Sequence, residues 1–366
     1  MRFLSHHMAT TTHKVQSILT ELRGAIAQGK YQPGDLLPTI AELCERYDCS
    51  VGVVSKATAM LAHEGLVEQR RGVGTRVLKG VVEDASVDLN AFALIYPSEK
   101  HEGIRRIVHG FHDQGQERSR QILTLTTGID YKKEGELIGR LKEFDVKGAV
   151  IYSIVQNLSD QIYISQVLSR TPFPIVLAGV NLPGVNLPVA MLDVFHASYT
   201  MTKYLIGQGS KNIGLLASRR SPDMFHGYVW AMLESGREMD PRWVHLIDEM
   251  HPNFQEPVRE SEAVAEGYLK ARPDVDAVVC DQDFTAIGLI DAALAMGIDV
   301  PTELKVVGVD DFDVAANALV PLTTYRAPYD EIGRTAFELL HEHVTSGCVA
   351  IPERKLRGEI IIRKSA

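Results

Sequence analysis

The most restrictive feature of this chain is a recurrence in its last 287 residues. Short apolar runs at 91–96, 121–125, 148–152, 175–178, 189–192, 212–217, 244–247, 277–280 and 305–309 alternate with stretches long enough for helices. Strands that are apolar on both faces need cover on both, so the alternation predicts parallel sheets flanked by helices. The span exceeds a single small sheet, and two lobes are expected. In such folds a ligand sits beyond the carboxyl ends of the strands, here the cleft between the lobes.

Parallel α/β folds host many chemistries, so an enzyme must be weighed directly. The sequence has no Gly-rich phosphate loop, no nucleophile elbow and no clustered metal ligands. His101, His109 and His112 fall in a mixed polar helix and read as solvated. His341 and His343, two apart near a helix end, lie on different faces. Cys44, Cys49, Cys280 and Cys348 fit neither a zinc spacing nor a disulfide framework and read as reduced thiols. No cofactor, no metal and no catalytic residue is expected. The alternative is a sugar-modifying α/β enzyme carrying a DNA-binding head.

The composition, 45% hydrophobic and 23% charged, excludes wholesale disorder and fibrous repeats. No run of 18 apolar residues exists, so no membrane helix is expected. Residues 1–8 lack the apolar core of a secretory signal, which places the protein in the cytoplasm with the nucleoid and argues against a transporter component. The net charge of −9 is uneven: residues 1–79 hold ten Lys/Arg and seven Asp/Glu, and the remainder 28 and 40. A basic end on an acidic chain hints at nucleic acid.

That basic end has its own pattern. Val15, Ile18, Leu19, Leu22 and Ile26 share one face of a helix expected from Lys14 to Gly29. After a Pro33-Gly34 turn, Thr39 and Glu42 read as a capping box for a helix over 40–47. Ser50 caps a third helix whose buried face is Val53, Val54, Ala57, Met60 and Leu61. Next comes a short hairpin carrying Arg70, Arg71 and Arg76 around a Gly-Val-Gly turn. A helix-turn-helix followed by a basic hairpin suits duplex DNA, with the third helix in the major groove and the hairpin arginines on phosphates or the minor groove. The competing reading is a three-helix protein-interaction module.

Residues 31–39 (YQPGDLLPT), Glu42-Leu43, Glu64-Gly65-Leu66-Val67 and residues 70–75 (RRGVGT) resemble the winged-helix domain of GntR-family transcription regulators over residues 12–79. The resemblance implies base reading by the start of the third helix. Family members usually carry arginine at the Val51 and Ser55 positions, so base contacts fall here on Ser50, Gly52, Ser55 and Lys56. The Thr39 hydroxyl, Arg70, Arg71 and Arg76 would position the DNA backbone, and Gly72, Gly74 and Thr75 belong to the same DNA-binding set. Residues 80–88 read as a linker with no hydrophobic helix pattern.

Residues 204–209 (YLIGQG), Asn212-Ile213-Gly214, Asp283 with Ala286 and Gly288, Val300-Pro301, residues 306–311 (VVGVDD), residues 321–324 (PLTT) and Ile332-Gly333-Arg334 resemble the effector domain of LacI/GalR regulators over residues 89–366. That domain is similar to periplasmic sugar-binding proteins, and its fusion to a GntR-type head resembles arabinose-responsive repressors. The resemblance implies effector contacts at Asp283, Asp310 and His196, with Asp311 as a neighbour. Asp283 could equally cap a helix. Two departures mark the cleft: Met224 stands where family members usually carry an arginine, three residues before Gly227-Tyr228, and Gln282 replaces the usual asparagine before Asp283; Met224, Gln282 and Phe225 are kept as candidate effector contacts. Phe111, Tyr152, Phe225, Phe254 and Tyr325 are candidates to stack on a sugar ring, or to pack the core. The expectation is an α/β chain with an N-terminal winged helix-turn-helix and a two-lobed parallel periplasmic-binding-protein-like domain. It would act as a homodimeric repressor of a palindromic double-stranded operator, responsive to a small molecule, most simply a carbohydrate.

Overall fold

The computed structural model describes residues 4–27, 30–63, 66–70, 74–78, 91–155, 157–182, 184–219, 221–247, 257–347, 349 and 352–366. The chain divides into two compact units, Met1–Asp88 and Leu89–Ala366. The 80–88 linker lies outside the described residues.

The first unit holds α1 (Leu4–Ala27), α2 (Ile40–Tyr47), α3 (Val51–His63), β1 (Val67–Arg70) and β2 (Gly74–Val77). The start of α1 expected at Lys14 is corrected to Leu4, because the residues before Lys14 lack the apolar period that reveals a helix. Val15, Ile18, Leu19, Leu22 and Ile26 bury one face of α1 against Val53, Val54, Ala57 and Leu61 of α3 and Leu43 of α2. Met60, expected in that face, is instead exposed. The Ser50 carbonyl accepts the first amide bonds of α3, from Val53 and Val54. Strands β1 and β2 pair antiparallel with Val67 opposite Val77 and Arg70 opposite Gly74. The segment before α2 joins this wing through the Leu37 amide, which donates to the Thr75 carbonyl at 2.8 Å.

The second unit contains two six-stranded sheets. Its elements are β3 (Ala91–Tyr96), α4 (Glu102–Glu117), β4 (Ile122–Thr126), α5 (Tyr131–Gly139), β5 (Val146–Ile151), α6 (Leu158–Arg170), β6 (Ile175–Ala178), β7 (Val189–Leu192), α7 (Val194–Gly207), β8 (Ile213–Ser218) and α8 (Pro222–Glu234). There follow β9 (Val244–Ile247), α9 (Pro257–Ala271), β10 (Ala277–Cys280), α10 (Asp283–Ala295), β11 (Lys305–Asp310), α11 (Asp313–Asn317), β12 (Thr323–Arg326), α12 (Tyr329–Ser346), β13 (Glu353–Leu356) and β14 (Glu359–Ile361). The first sheet runs β13-β7-β6-β5-β3-β4 and is wholly parallel. The second runs β14-β12-β11-β10-β8-β9, and its edge strand β14 is antiparallel to β12. The expectation of purely parallel sheets is corrected at that edge.

The chain passes between the lobes three times, from β7 to α7, from β12 to α12 and from β13 to β14. Helix α12 therefore follows a strand of the second lobe but packs on α4 and the sheet of the first. The α4–α12 crossing is close enough to need glycine on both helices. A Cβ on Gly110 would sit 1.9 Å from the Asp330 carbonyl oxygen, and one on Gly333 would sit 2.1 Å from that of Ile107. Phe337 fills the space below, with ring centroids 5.2 Å from Phe92 and 5.3 Å from Phe111. Among the described residues no helix is long and apolar enough to cross a membrane.

Candidate effector cleft and nucleic-acid interface

In the first unit, α3 buries Val53, Val54, Ala57, Thr58 and Leu61 and exposes Val51, Gly52, Lys56, Ala59 and Met60, with Ser55 half-buried between them. These solvent-facing positions recur at i, i+4 and i+8 and form one continuous face. Ser50, immediately before the helix, is exposed as well. On the wing, Arg70 and Arg76 are exposed, and Arg70 pairs with Glu68 at 3.0 Å. Arg71 and Gly72 fall outside the described residues. Gly74 opens β2 with a φ of 113° that favours glycine.

Two of the expected DNA-binding residues are engaged or covered within the protein. The Thr39 hydroxyl accepts from the Glu42 amide and donates to the Glu42 carboxylate at 2.9 Å, so it is committed to the capping box. The Thr39 backbone amide, which donates to the Glu42 carboxylate at 2.7 Å, and then the Thr39 hydroxyl hold that carboxyl below the usual glutamate range. Thr75 is buried on the inner face of the hairpin, which leaves its side chain no route to a phosphate.

In the second unit, the strand ends converge on a group of acids and aromatic rings. Asp310 ends β11 at a φ of 128° and its carboxylate accepts from the Tyr329 hydroxyl at 2.5 Å. Burial beside Asp283 pushes the Asp310 carboxyl well above the ordinary aspartate range. Tyr329 stacks on Phe312 at 5.9 Å, Phe312 lies 5.5 Å from Phe284, and His101 meets Phe312 edge-on at 5.2 Å. His101 comes from the first lobe and the two phenylalanines from the second, so these rings face each other across the cleft. The neighbouring Glu102 carboxylate accepts from the Asp313 amide at 3.0 Å, a second bond across the gap. Tyr152, half-buried just beyond β5, is close enough to Asp310 for charge coupling, and burial raises its phenol to about 12.

Several expected effector contacts are placed elsewhere. The two carboxylate oxygens of Asp283 accept from the Thr324 hydroxyl at 2.5 Å and the Phe312 amide at 2.8 Å. Asp283 is fully buried, and it ties the start of α10 to β12 and to the β11–α11 turn instead of facing the cleft. Gln282 precedes it as the half-buried N-cap residue of α10. Met224 is fully buried on the inner face of α8, in the core of the second unit. Phe225 lines a separate cavity of about 690 Å³ between α8 and β9, with Val229, Met239 and Leu246. Phe111 is core, and Phe254 lies outside the described residues. Asp311 is held by Arg326 at 2.7 Å and Arg363 at 2.6 Å, a structural clamp that keeps its carboxyl low against the pull of burial.

His196 and Tyr325 meet at the lobe crossovers. His196 Nδ1 lies 2.9 Å from the Tyr325 hydroxyl, which also accepts the Gly358 amide at 2.7 Å. Asp193, just before α7, accepts from the His196 amide and from Arg357 at 2.9 Å. These bonds brace the crossover.

The residues that sequence reasoning missed are His101, Phe284, Phe312 and Tyr329. His101 was read as solvated, yet burial against Phe312 lowers its imidazole to about 4. The signal that could have found them is topological: each follows the carboxyl end of a strand or opens the helix after it. Among the described residues no His, Cys, Asp or Glu cluster is arranged to hold a metal.

One unit thus holds a winged helix, and the other two lobes whose strand ends meet at a cluster of rings and acids. Residues 14–77 match the gntR family of bacterial regulatory proteins and residues 202–366 a periplasmic binding protein-like domain. One segment of the chain thus matches the gntR model and another the periplasmic binding protein-like model. It is 25% identical over 363 residues to an arabinose metabolism transcriptional repressor of Geobacillus stearothermophilus, across 97% of this chain and 98% of that one. It is 31% identical over 196 residues to the transcriptional repressor CytR of Escherichia coli K12, across 52% of this chain and 55% of that one. Among solved structures, a CelR–cellobiose complex aligns at a TM-score of 0.66 and 22% identity, over 90% of this chain and 100% of that one. CcpA of Lactococcus lactis aligns at 0.66 and 23%, over 75% and 98%. These relatives are regulators of transcription, not enzymes.

Proposed function

We propose that the protein is a homodimeric repressor that releases or engages a palindromic operator when a carbohydrate occupies the interlobe cleft. The observation that carries this reading is the pairing of rings across the cleft, His101 from one lobe and Phe312 from the other, around the buried Asp310 carboxylate. Aromatic faces suit the apolar side of a sugar ring, and a carboxylate with its Tyr329 partner suits the hydroxyls. The relatives named for arabinose and cellobiose support the ligand class. A ligand touching both lobes would favour one interlobe angle, and the hinge at His196, Tyr325 and Gly358 would carry that change as a rigid-body motion.

At the other end, α3 would lie in the major groove with Ser50, Gly52, Ser55 and Lys56 toward base edges. Arg70 and Arg76 would meet phosphates or the minor groove. A two-fold dimer presents two such heads to two half-sites, and its activity places it with the chromosome in the cytoplasm.

The test is thermal unfolding of the purified protein with pentoses, hexoses, disaccharides and nucleosides at millimolar concentration. A sugar present at 100 times its dissociation constant adds about 2.7 kcal/mol, a shift of several degrees. That shift should vanish in Tyr329→Ala. Stabilisation by nucleosides with none by any sugar would overturn the carbohydrate reading.

A further inference from the structure

We infer that Val51 is a specificity-determining residue of the head, seated against the 5-methyl group of a thymine. The inference rests on the reading that α3 lies in the major groove, and it names what the helix reads there.

Val51 is the first residue of α3 and is 61% exposed, while Val53 and Val54 beside it are buried. The protein itself gives this β-branched side chain little cover. Apart from Met60, more than two turns further along the helix, the rest of the exposed face is small or singly polar: Gly52, Ser55, Lys56 and Ala59. Ser50 and Ser55 offer hydroxyls and Lys56 a point charge, so the face carries no planar fork able to grip guanine with two bonds. The one apolar group that the major groove presents is the thymine methyl. Val51 is suited to meet it because its stiff χ1 holds two methyl groups in place without loss of rotamer freedom on binding.

Gly52 supplies an independent observation. Its backbone is helical, it has no positive φ, and an added Cβ would meet only the Ser50 hydroxyl oxygen at 4.0 Å. Nothing inside the protein requires glycine there, although glycine weakens a helix. A bare backbone one residue from Val51 leaves room for base edges to approach closely. Together the two residues make the leading end of α3 a flat apolar surface suited to an A·T pair.

The experiment uses the full chain. Bound duplexes are selected from a random pool, and each thymine of the selected half-site is then replaced singly by uracil, which removes only the methyl group. The wild type should lose about three- to tenfold in affinity at one thymine per half-site. Val51→Ser should lose less than twofold at that position while still binding DNA in a salt-sensitive way. A wild type indifferent to uracil at every thymine, or an equal uracil penalty in Val51→Ser, overturns the inference and leaves the DNA-binding reading standing. Failure of the wild type to enrich any sequence overturns both.

Discussion

The Tyr325 hydroxyl lies 2.9 Å from His196 Nδ1, and through it one oxygen joins all three passages of the chain between the lobes. His196 opens α7 after the first passage, Tyr325 lies just before the second, and Gly358 sits in the third. Because the oxygen accepts the Gly358 N–H, its own hydrogen is available to donate to Nδ1. Burial and the nearby Arg357 charge lower the His196 pKa and favour the neutral ring that this requires. Tyr325→Phe leaves the Gly358 amide without its partner, and a loss of about 1–3 kcal/mol is expected. Urea unfolding followed in the effector domain reads it directly; an unchanged midpoint would show that the hinge does not depend on this hydroxyl.

The α4–α12 crossing should be less forgiving. A Cβ at Gly333 would meet the Ile107 carbonyl oxygen at 2.1 Å and the Phe111 amide nitrogen at 2.8 Å, both backbone atoms that cannot rotate aside. Gly333→Ala is expected to cost about 1–3 kcal/mol through overpacking. Arg334→Ala, one residue on, removes a half-buried pair with Asp113 and a more exposed one with Glu117 and should cost about 1 kcal/mol. Comparable thermal shifts for the two variants would contradict the close-crossing account.

In the head, Thr39→Ala removes the capping box and should lower stability by about 1 kcal/mol. DNA affinity, measured well below the unfolding temperature, should change little, because the hydroxyl is spent inside the protein. A large affinity loss with unaltered stability would restore Thr39 as a DNA contact.

His101 provides a pH signature. Its folded pKa, about 4, lies below the ordinary histidine value of 6.5. The stability it contributes is therefore complete above pH 6.5 and is lost as pH falls toward 4, at most by about 1.4 kcal/mol per unit. The buried Asp281, raised to about 6, shifts stability in the opposite sense, so the comparison must be between wild type and His101→Phe. The difference should widen from pH 7 to pH 4.5 in favour of the variant. Parallel pH profiles would mean that His101 leaves the Phe312 ring as readily as it meets it.

The architecture was legible in the sequence wherever burial was two-sided. The apolar runs that became β3, β5, β8 and β10 stand out because both faces of those strands are covered, and Thr39 with Glu42 marked the start of α2. The polar edge strands β13 and β14 escaped notice because each has only partial cover, so the apolar signal fades. The cleft was read less well for a different reason. Motif position identified the β10–α10 and β11–α11 turns, but not which way a side chain points within them, so Asp283 and Asp310 looked equivalent although only Asp310 faces the ring cluster. Met224 was misplaced because α8 is apolar around much of its circumference, which hides which face is core.

The central claim is that occupancy of the cleft is coupled to the head. Its most direct measurement is fluorescence anisotropy of a labelled, selected duplex titrated with the full chain, with and without the sugar that most raises the unfolding temperature. The account requires the sugar to change DNA affinity at least fivefold, with the duplex changing sugar affinity by the same factor, as linkage demands. Tight sugar binding that leaves DNA affinity unchanged would contradict it.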